Sequence, residues 1–365
     1  MIKIIVVSYT LFLLSTPAIS TTISLMEWDL IGHDWAVNIL RKHIQQQNVR
    51  HAYLFSGPPG TGRRSLALVF ARAVNCQQPP SPGESCGTCR ACRLISSGQH
   101  PDVSILEVGS DSQEIKIEQV RELQKNLNLS PYEARYRIAL LLDFQRANPN
   151  AQNALLKTLE EAPPRVILLM TADAPENLLP TITSRCEILR LRPLAVAEMV
   201  APLQVKMNIE AEAALELAHL SGGRFGLADH YHNQPEEQEQ LHTWLQELFE
   251  LLSQDLGPRM VYAEKISEKR RKGESRESTR KILETWLLLW RDVLILNSGS
   301  QMPLTFIPFK AWSNQVANTL TFQQIAAQIH NLEDALEQLD ANINVRLLLE
   351  NVLLTWPQVN LSLHP

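Results

Sequence analysis

The chain has 365 residues, a formal net charge of −5 and an isoelectric point near 6.1. This length predicts two or three domains, because a single hydrophobic core stops growing at about 250–300 residues. The excess of acids excludes a positive field over the whole surface, so any contact with nucleic acid must be local or made through partners.

Residues 1–25 resemble an N-terminal extension that is separate from the folded part of the chain. Lys3 precedes an apolar run and then small residues, which is the layout of an export signal, but the run is too short to predict a membrane span. A glycine-rich loop and a cluster of thiols further along suit a reducing compartment, which argues against export. We therefore predict a wrongly extended reading frame or an irrelevant extension, and a cytoplasmic protein.

The first predicted elements are a helix, a strand and a second helix. Ala36 and Leu40 share one face of a helix over residues 33–47. The apolar run at 52–55 predicts a strand, and a helical pattern behind the next turn runs to about Asn75.

The turn between that strand and that helix, SGPPGTGRRS, is typical of a phosphate-binding loop. Its glycines, which let backbone N–H groups point inward at an anion, are Gly57, Gly60 and Gly62. Two positions depart from the pattern, because Arg63 replaces the lysine that reaches the phosphates and Arg64 replaces the hydroxyl that binds Mg²⁺. A guanidinium can donate to phosphate but cannot ligate a metal. The loop therefore either binds ATP weakly or keeps its geometry without nucleotide.

Four of the five cysteines lie in an insertion rich in Pro, Gly and Ser, with the spacing C-x₉-C-x₂-C-x₂-C. They are Cys76, Cys86, Cys89 and Cys92. A two-residue gap lets neighbouring thiolates converge on one tetrahedral ion, and four sulfurs with no open position are typical of structural zinc. An iron–sulfur cluster and free or oxidised thiols are the alternatives.

Strands and helices continue to alternate through the first half of the chain. Apolar runs predict further strands at 103–108, 137–143, 166–171 and 187–191. The run at 137–143 is apolar almost throughout and is expected inside a sheet. This alternation predicts an α/β fold with a doubly wound parallel sheet and right-handed crossovers.

Asp143 ends the third strand, where an ATPase places the aspartate of its magnesium shell. The next residue, where a hydrolysing enzyme needs a glutamate, is Phe144, which cannot accept a proton or orient water. The alternative for Asp143 alone is a carboxylate that caps a turn. Together with Arg63 and Arg64, Phe144 indicates a disabled hydrolytic site.

After Pro193 the predicted elements are all helices. Two or three short ones fall in 195–230, and others are expected at 241–252, 282–296 and 332–356. The apolar stripe of the last helix is Leu332, Leu336, Leu339, Ile343 and Leu347. The charged run at 265–281 favours a solvated linker or an exposed helix over a contact with DNA.

Four segments together resemble subunits of the clamp-loader AAA+ family, which serves bacterial DNA polymerase III. They are GPPGTG, the four-cysteine insert, NALLKTLEEAPP (153–164) and LLPTITSRC (178–186). The similarity runs from Met26 to about Leu354 and includes ANINVRLLLENVLL, which resembles a collar helix. It implies an AAA+ RecA-like domain with a zinc-binding insert at 26–194, an all-α lid at 195–255 and an all-α oligomerisation collar at 256–365.

The resemblance also implies roles for particular residues. In that family the arginine of the Ser-Arg-Cys motif completes the ATP site of a neighbouring subunit as an arginine finger, and Arg185 matches it. Such fingers are worth about 10³–10⁵ in rate. From spacing alone, Arg185 would only pair with a surface carboxylate. The zinc module matches the four cysteines, but nucleotide roles are not carried over, because ATPase members have lysine in place of Arg63 and glutamate in place of Phe144.

The resemblance thus implies a non-hydrolysing stator that supplies an arginine finger in trans and contains structural Zn²⁺. Its expected partners are the ATPase and delta subunits of a hetero-pentamer, the sliding clamp, and primer–template DNA within the complex; no membrane is expected. One alternative is an active clamp-loader ATPase that uses Arg63 in place of lysine. Another is a zinc-dependent nucleic-acid binding module, against which the negative net charge counts.

Overall fold

The computed structural model describes residues 28–109, 114–271, 276–341 and 343–361. The extension at 1–25 and the middle of the charged run lie outside the described residues. Within the described ranges, no helix has both the length and the apolar character that a membrane crossing needs.

The first half of the chain is built on a parallel sheet. Its strands are β1 (Ala52–Ser56), β2 (Val103–Leu106), β3 (Arg137–Leu141), β4 (Val166–Ala172) and β5 (Glu187–Arg190). They lie in the order β2-β3-β4-β1-β5, and each neighbouring pair is parallel. Strands β1 and β4 are buried along their whole length, because helices cover both faces. The predicted doubly wound parallel sheet, with β3 inside it, is confirmed.

Two helical layers cover this sheet. One face carries α1 (Asp34–Gln45), α2 (Arg63–Asn75) and α3 (Arg90–Ser96), and the other carries α4 (Ile117–Leu127), α5 (Pro149–Glu160) and α6 (Pro180–Thr183). Alternate residues of each strand serve the two layers, so Tyr53 and Phe55 pack on the first and Leu54 packs on the second. Helix α5 begins as predicted, since the Asn148 side chain accepts from the Ala151 N–H.

The second half of the chain is helical and has two separate cores. The smaller is formed by α7 (Val196–Met207), α8 (Ala211–Leu220) and α9 (Phe225–Asn233). The larger is formed by α10 (Pro235–Ser253), α11 (Leu256–Arg271), α12 (Arg276–Asn297), α13 (Lys310–Thr319), α14 (Phe322–Asp340) and α15 (Val345–Leu354). Helix α10, which the predicted boundary at 255 groups with the lid, packs its apolar face into the larger core.

The prediction of one helix over 332–356 is wrong. Helix α14 ends at Asp340 and α15 begins at Val345, because the Asn344 side chain accepts from the Arg346 N–H and caps a new helix. Because of this break, Ile343 and Leu347 face solvent. A continuous helix with the predicted apolar stripe would have buried both side chains.

Arg259 ties the ends of two helices together inside the larger core. Its side chain is buried, and its guanidinium donates to the carbonyl oxygens of Leu251, Leu252, Leu353, Trp356 and Pro357. The first two belong to α10, and the others lie at and beyond the end of α15. A positive charge among carbonyls at helix C-termini also interacts favourably with the helix dipoles.

Arg259→Leu should lower the free energy of unfolding by about 3 kcal/mol or more, because buried carbonyls lose a charged donor and remain unsatisfied. Urea unfolding followed by tryptophan fluorescence would measure it, since Trp286 and Trp290 lie in the same core. The control is Arg346→Ala, which removes a half-exposed arginine of α15 that pairs with Glu264 and Glu350 and should lower the midpoint much less. Equal midpoints for the two variants would contradict the role of Arg259.

Candidate functional site

The phosphate loop lies between β1 and α2, at the carboxyl edge of the sheet. Its glycines adopt positive φ angles, which are 150° for Gly57, 85° for Gly60 and 91° for Gly62. A Cβ on Gly57 would lie 2.1 Å from the Leu191 carbonyl oxygen, and α2 begins directly after Gly62. The loop therefore has the strand–turn–helix geometry of an anion cradle.

Arg63, at the lysine position of this loop, is held by two carboxylates of its own chain. Its Nη1 lies 2.6 Å from Oδ1 of Asp173, and its Nη2 lies 3.0 Å from Oδ1 of Asp143. The arginine side chain is only 9% exposed. The two aspartates follow the neighbouring strands β4 and β3, so one guanidinium bridges two acids at the strand ends and balances half of their charge.

The sequence interpretation missed Asp173. A signal was present, because this residue directly follows β4 and the carboxyl ends of adjacent parallel strands meet at one edge of the sheet. What the sequence did not reveal is that β3 and β4 are neighbours, which brings Asp143 and Asp173 to the same guanidinium.

A cavity of about 430 Å³ lies beside the loop. Its wall includes Arg64, whose Nη1 lies 2.9 Å from Oε2 of Glu107, and the exposed Arg146. Both arginines of the loop, Arg63 and Arg64, are therefore paired with carboxylates. A triphosphate that entered this cavity would have to compete with those carboxylates for the guanidinium groups of the two arginines.

Phe144 follows Asp143 but its ring turns into the protein. The side chain is fully buried in the apolar cluster beneath the sheet. Asp143 itself has a left-handed backbone with φ 47°, and its N–H donates to Oγ1 of Thr171 at 2.8 Å. A buried aromatic ring cannot bind or orient an attacking water molecule.

Helix α9 of the small helical core closes over the phosphate loop. The Gly226 N–H donates to the Gly60 carbonyl at 2.8 Å, and the Leu194 N–H donates to the Gly223 carbonyl at 2.9 Å. A Cβ on Gly223 would lie 1.9 Å from the Leu194 carbonyl oxygen, so this approach requires glycine. Backbone contacts thus hold the loop and the small helical core together.

Arg185 lies at the surface between α6 and β5. Its Nη2 lies 2.6 Å from Oε1 of Glu160, its Nη1 donates to the Thr181 carbonyl at 2.8 Å, and its side chain is 34% exposed. The arginine therefore does pair with a surface carboxylate within its own chain. An exposed ion pair of this kind contributes at most about 1 kcal/mol to stability, so the pairing of Arg185 with Glu160 is weak. The adjacent Cys186 is half-buried, and burial raises the pKa of its thiol to about 12.

The four cysteines of the insert come together in space. Their Sγ atoms all lie within 4.8 Å of one another. A tetrahedral zinc with bonds of 2.3 Å needs sulfur–sulfur separations of about 3.8 Å, so the set fits one ion after a small contraction. Three of the sulfurs accept backbone N–H groups at 3.2–3.5 Å, in the pairs Cys86 to Cys76, Cys89 to Cys86 and Cys92 to Cys89.

These thiols differ in acidity. Burial raises the pKa of Cys76 and of Cys92. Desolvation acts in the same direction on Cys86, but hydrogen bonds from the Cys89 N–H and from Thr88 outweigh it and lower the pKa of Cys86 to about 6. A bound metal ion would deprotonate the remaining thiols.

The insert is attached by polar contacts to α1 and to Trp28, which precedes that helix. The Trp28 Nε1–H donates to the Gly83 carbonyl at 2.9 Å, and Arg41 Nε lies 2.6 Å from Oε1 of Glu84. Ile95 of α3 also joins the core between the sheet and the layer of α1, α2 and α3. The cysteine cluster is therefore part of the folded domain.

Two family descriptions match the chain. "DNA polymerase III, delta subunit" matches residues 32–195, and "DNA polymerase III, delta subunit, C terminal" matches residues 272–358. The DNA polymerase III subunit delta' of Bacillus subtilis (strain 168) is 27% identical over 318 residues, which are 87% of this chain and 94% of that protein. The chain belongs to the DNA polymerase III delta-prime clamp-loader family.

Further relatives match shorter parts of this delta-prime family member. The delta' subunit of Pseudomonas aeruginosa (strain PAO1) is 39% identical over 186 residues, which are 50% of this chain and 56% of that protein. The DNA polymerase III subunit tau of Bacillus subtilis is 35% identical over 159 residues, or 44% of this chain and 28% of that protein. The predicted membership of the clamp-loader family is confirmed.

Proposed function

We propose that this delta-prime family chain is a non-hydrolysing stator that supplies Arg185 in trans to the ATP site of a neighbouring ATPase subunit. The observation that carries the proposal is the state of the chain's own site, where Arg63 is tied to Asp143 and Asp173 and Phe144 is buried. Arg185, in contrast, lies at the surface in a weak pair. A subunit of this kind can assist hydrolysis only on another chain.

Reconstitution tests this proposal. The full-length chain alone should show no ATP turnover, whereas its addition to the ATPase subunits of the same clamp loader should permit DNA-stimulated hydrolysis. Saturable turnover by the isolated chain would instead support an active ATPase that uses Arg63 in place of lysine.

We also propose a hetero-pentamer with ATPase subunits and a delta subunit, which acts on the sliding clamp and primer–template DNA in the cytoplasm. Family membership supports this assembly. We propose an AAA+ domain at 26–194 and a lid that starts at 195. The collar would include α10, because that helix shares its core with α11 to α15.

The four cysteines are proposed to hold one structural Zn²⁺. Their sulfurs complete a tetrahedral coordination shell, so the ion would leave no position for water or substrate and would contribute folding energy. The hydrogen bonds donated to the sulfurs by the backbone support the thiolate forms that a metal requires.

Restoring the loop chemistry should restore nucleotide binding. Arg63→Lys with Arg64→Ser recreates the G-x-x-x-x-G-K-S pattern and frees Asp143 and Asp173, so we expect at least about tenfold tighter binding of a fluorescent ATP analogue than by the natural chain. The double variant should still not hydrolyse ATP, because Phe144 remains. Equal affinity of the two proteins would contradict the inference that paired arginines block the loop.

A further inference from the structure

The insert turns two arginines toward solvent. Two of its cysteines are each followed by an arginine, Arg90 and Arg93, and these lie one turn apart on α3. The opposite side of this helix is buried through Ala91 and Ile95. Arg90 is 67% exposed, and Arg93 is exposed as well. The packing of α3 therefore presents both guanidinium groups on one outer face.

The loop at 128–137 extends this face. Arg90 Nε lies 3.4 Å from Oε2 of Glu133, which joins the loop to α3. Next to Glu133 the ring of Tyr132 is 82% exposed. Two positions further on, Arg135 is exposed, and its guanidinium carbon lies 5.4 Å from the centre of the Tyr136 ring. Three exposed arginines and one exposed aromatic ring therefore belong to two segments that the ion pair of Arg90 with Glu133 joins.

The acids of the same segments are turned inward. In residues 76–102 and 128–137 they are Glu84, Asp102 and Glu133. Glu84 is 12% exposed and pairs with Arg41, and Glu133 is 22% exposed. Asp102 is fully buried, where it pairs with Arg137 and accepts three backbone N–H groups of the loop. The surface is therefore locally positive on a chain whose net charge is −5.

We propose that this surface, the arginine face (Arg90, Arg93, Tyr132 and Arg135), binds the backbone of single-stranded DNA. Guanidinium forks match the geometry of phosphate oxygens. An exposed aromatic ring is a platform on which an unpaired base stacks. An acidic protein segment would use the arginines in the same way, but the exposed tyrosine favours a ligand with unpaired bases over an acidic peptide and over duplex DNA.

The test uses the full-length, zinc-loaded chain and a fluorescent oligothymidylate of about 15 nucleotides, a typical length for such sites. Anisotropy titrations at several salt concentrations should give weak binding that falls steeply with salt. Arg90→Gln with Arg93→Gln should reduce the slope of log K against log salt by about 1.4, since each phosphate contact on a single strand contributes about 0.7. Arg190→Gln, which removes an exposed arginine elsewhere, is the matched control and should leave the slope unchanged.

The tyrosine is tested separately. Tyr132→Ala should weaken binding roughly 5- to 150-fold, as expected for the loss of one base–aromatic stack, without changing the salt slope. Tyr132→Phe should bind like the natural chain, because the ring remains. Zinc content is measured for every variant, so that unfolding of the insert is recognised.

Three results would overturn the proposal. The first is an unchanged affinity and salt slope in the double arginine variant. The second is loss of assembly with ATPase subunits while oligonucleotide binding persists, which would make the face a protein interface. The third is a double arginine variant that contains less zinc but whose zinc-loaded fraction binds the oligonucleotide as the natural chain does. That result would mean that Arg90 and Arg93 only balance the charge of the thiolates.

Discussion

Arg185→Ala should lower ATP hydrolysis at the neighbouring site by about 10³–10⁵-fold in a reconstituted clamp loader, while the complex still assembles. The guanidinium would neutralise charge on the γ-phosphate as its bond breaks, and alanine would leave that charge unbalanced. Single-turnover measurement is needed, because any ATP site that does not use Arg185 would mask the loss in a steady-state rate.

Three further variants separate the finger from a general effect of charge. Arg185→Lys keeps the charge but lacks the planar guanidinium, so its rate of ATP hydrolysis should lie between those of the natural chain and of Arg185→Ala. Arg190→Ala makes the same charge change at an exposed arginine on β5 and should hydrolyse ATP normally. Glu160→Gln removes the charged partner of Arg185 and should retain hydrolysis, because the proposed role needs the arginine to leave that carboxylate. A normal rate at the neighbouring site with Arg185→Ala would reduce Arg185 to a surface ion pair.

The strands were the most predictable part of the fold. Strands β1 and β4 read as unbroken apolar runs because helices bury both of their faces, and that burial leaves a direct trace in the sequence. The break between α14 and α15 left a weaker trace. The apolar spacing continues through Ile343, and only the capping by Asn344 decides that a new helix begins there.

The candidate site likewise has a part that the sequence predicts and a part that it does not. The four cysteines could be grouped from the sequence because the turns between them are short, and the structure does bring their sulfurs together. The partners of Arg63 and Arg185 could not be found so easily. Asp173 is 110 residues from Arg63, and Glu160 is 25 residues from Arg185, so both pairs depend on strand order and helix packing.

Cys89→Ser should abolish zinc binding and unfold the insert while the sheet stays folded. Structural zinc contributes about 10–16 kcal/mol to the folding of zinc-finger peptides. Apart from the proposed ion, the insert is attached by the contacts of Trp28 and Arg41 and by Ile95 of α3, which packs against the sheet. Cys89 also caps α3, since its sulfur accepts from the Cys92 N–H. Metal analysis should give one zinc per natural chain and none in the variant, and limited proteolysis should cut the variant within residues 77–99.

The fifth cysteine provides the matched control. Cys186→Ser changes a thiol that lies outside the cluster and donates to the Ile182 carbonyl, so this variant should keep its zinc and its resistance to protease. Bound iron with visible absorbance in the natural protein would favour an iron–sulfur cluster instead. Because α3 begins directly after Cys89, loss of the ion should also release Arg90 and Arg93 from their common face. Zinc content and oligonucleotide binding should therefore fall together, and a Cys89→Ser chain that binds oligothymidylate normally would show that the arginine face does not depend on the metal.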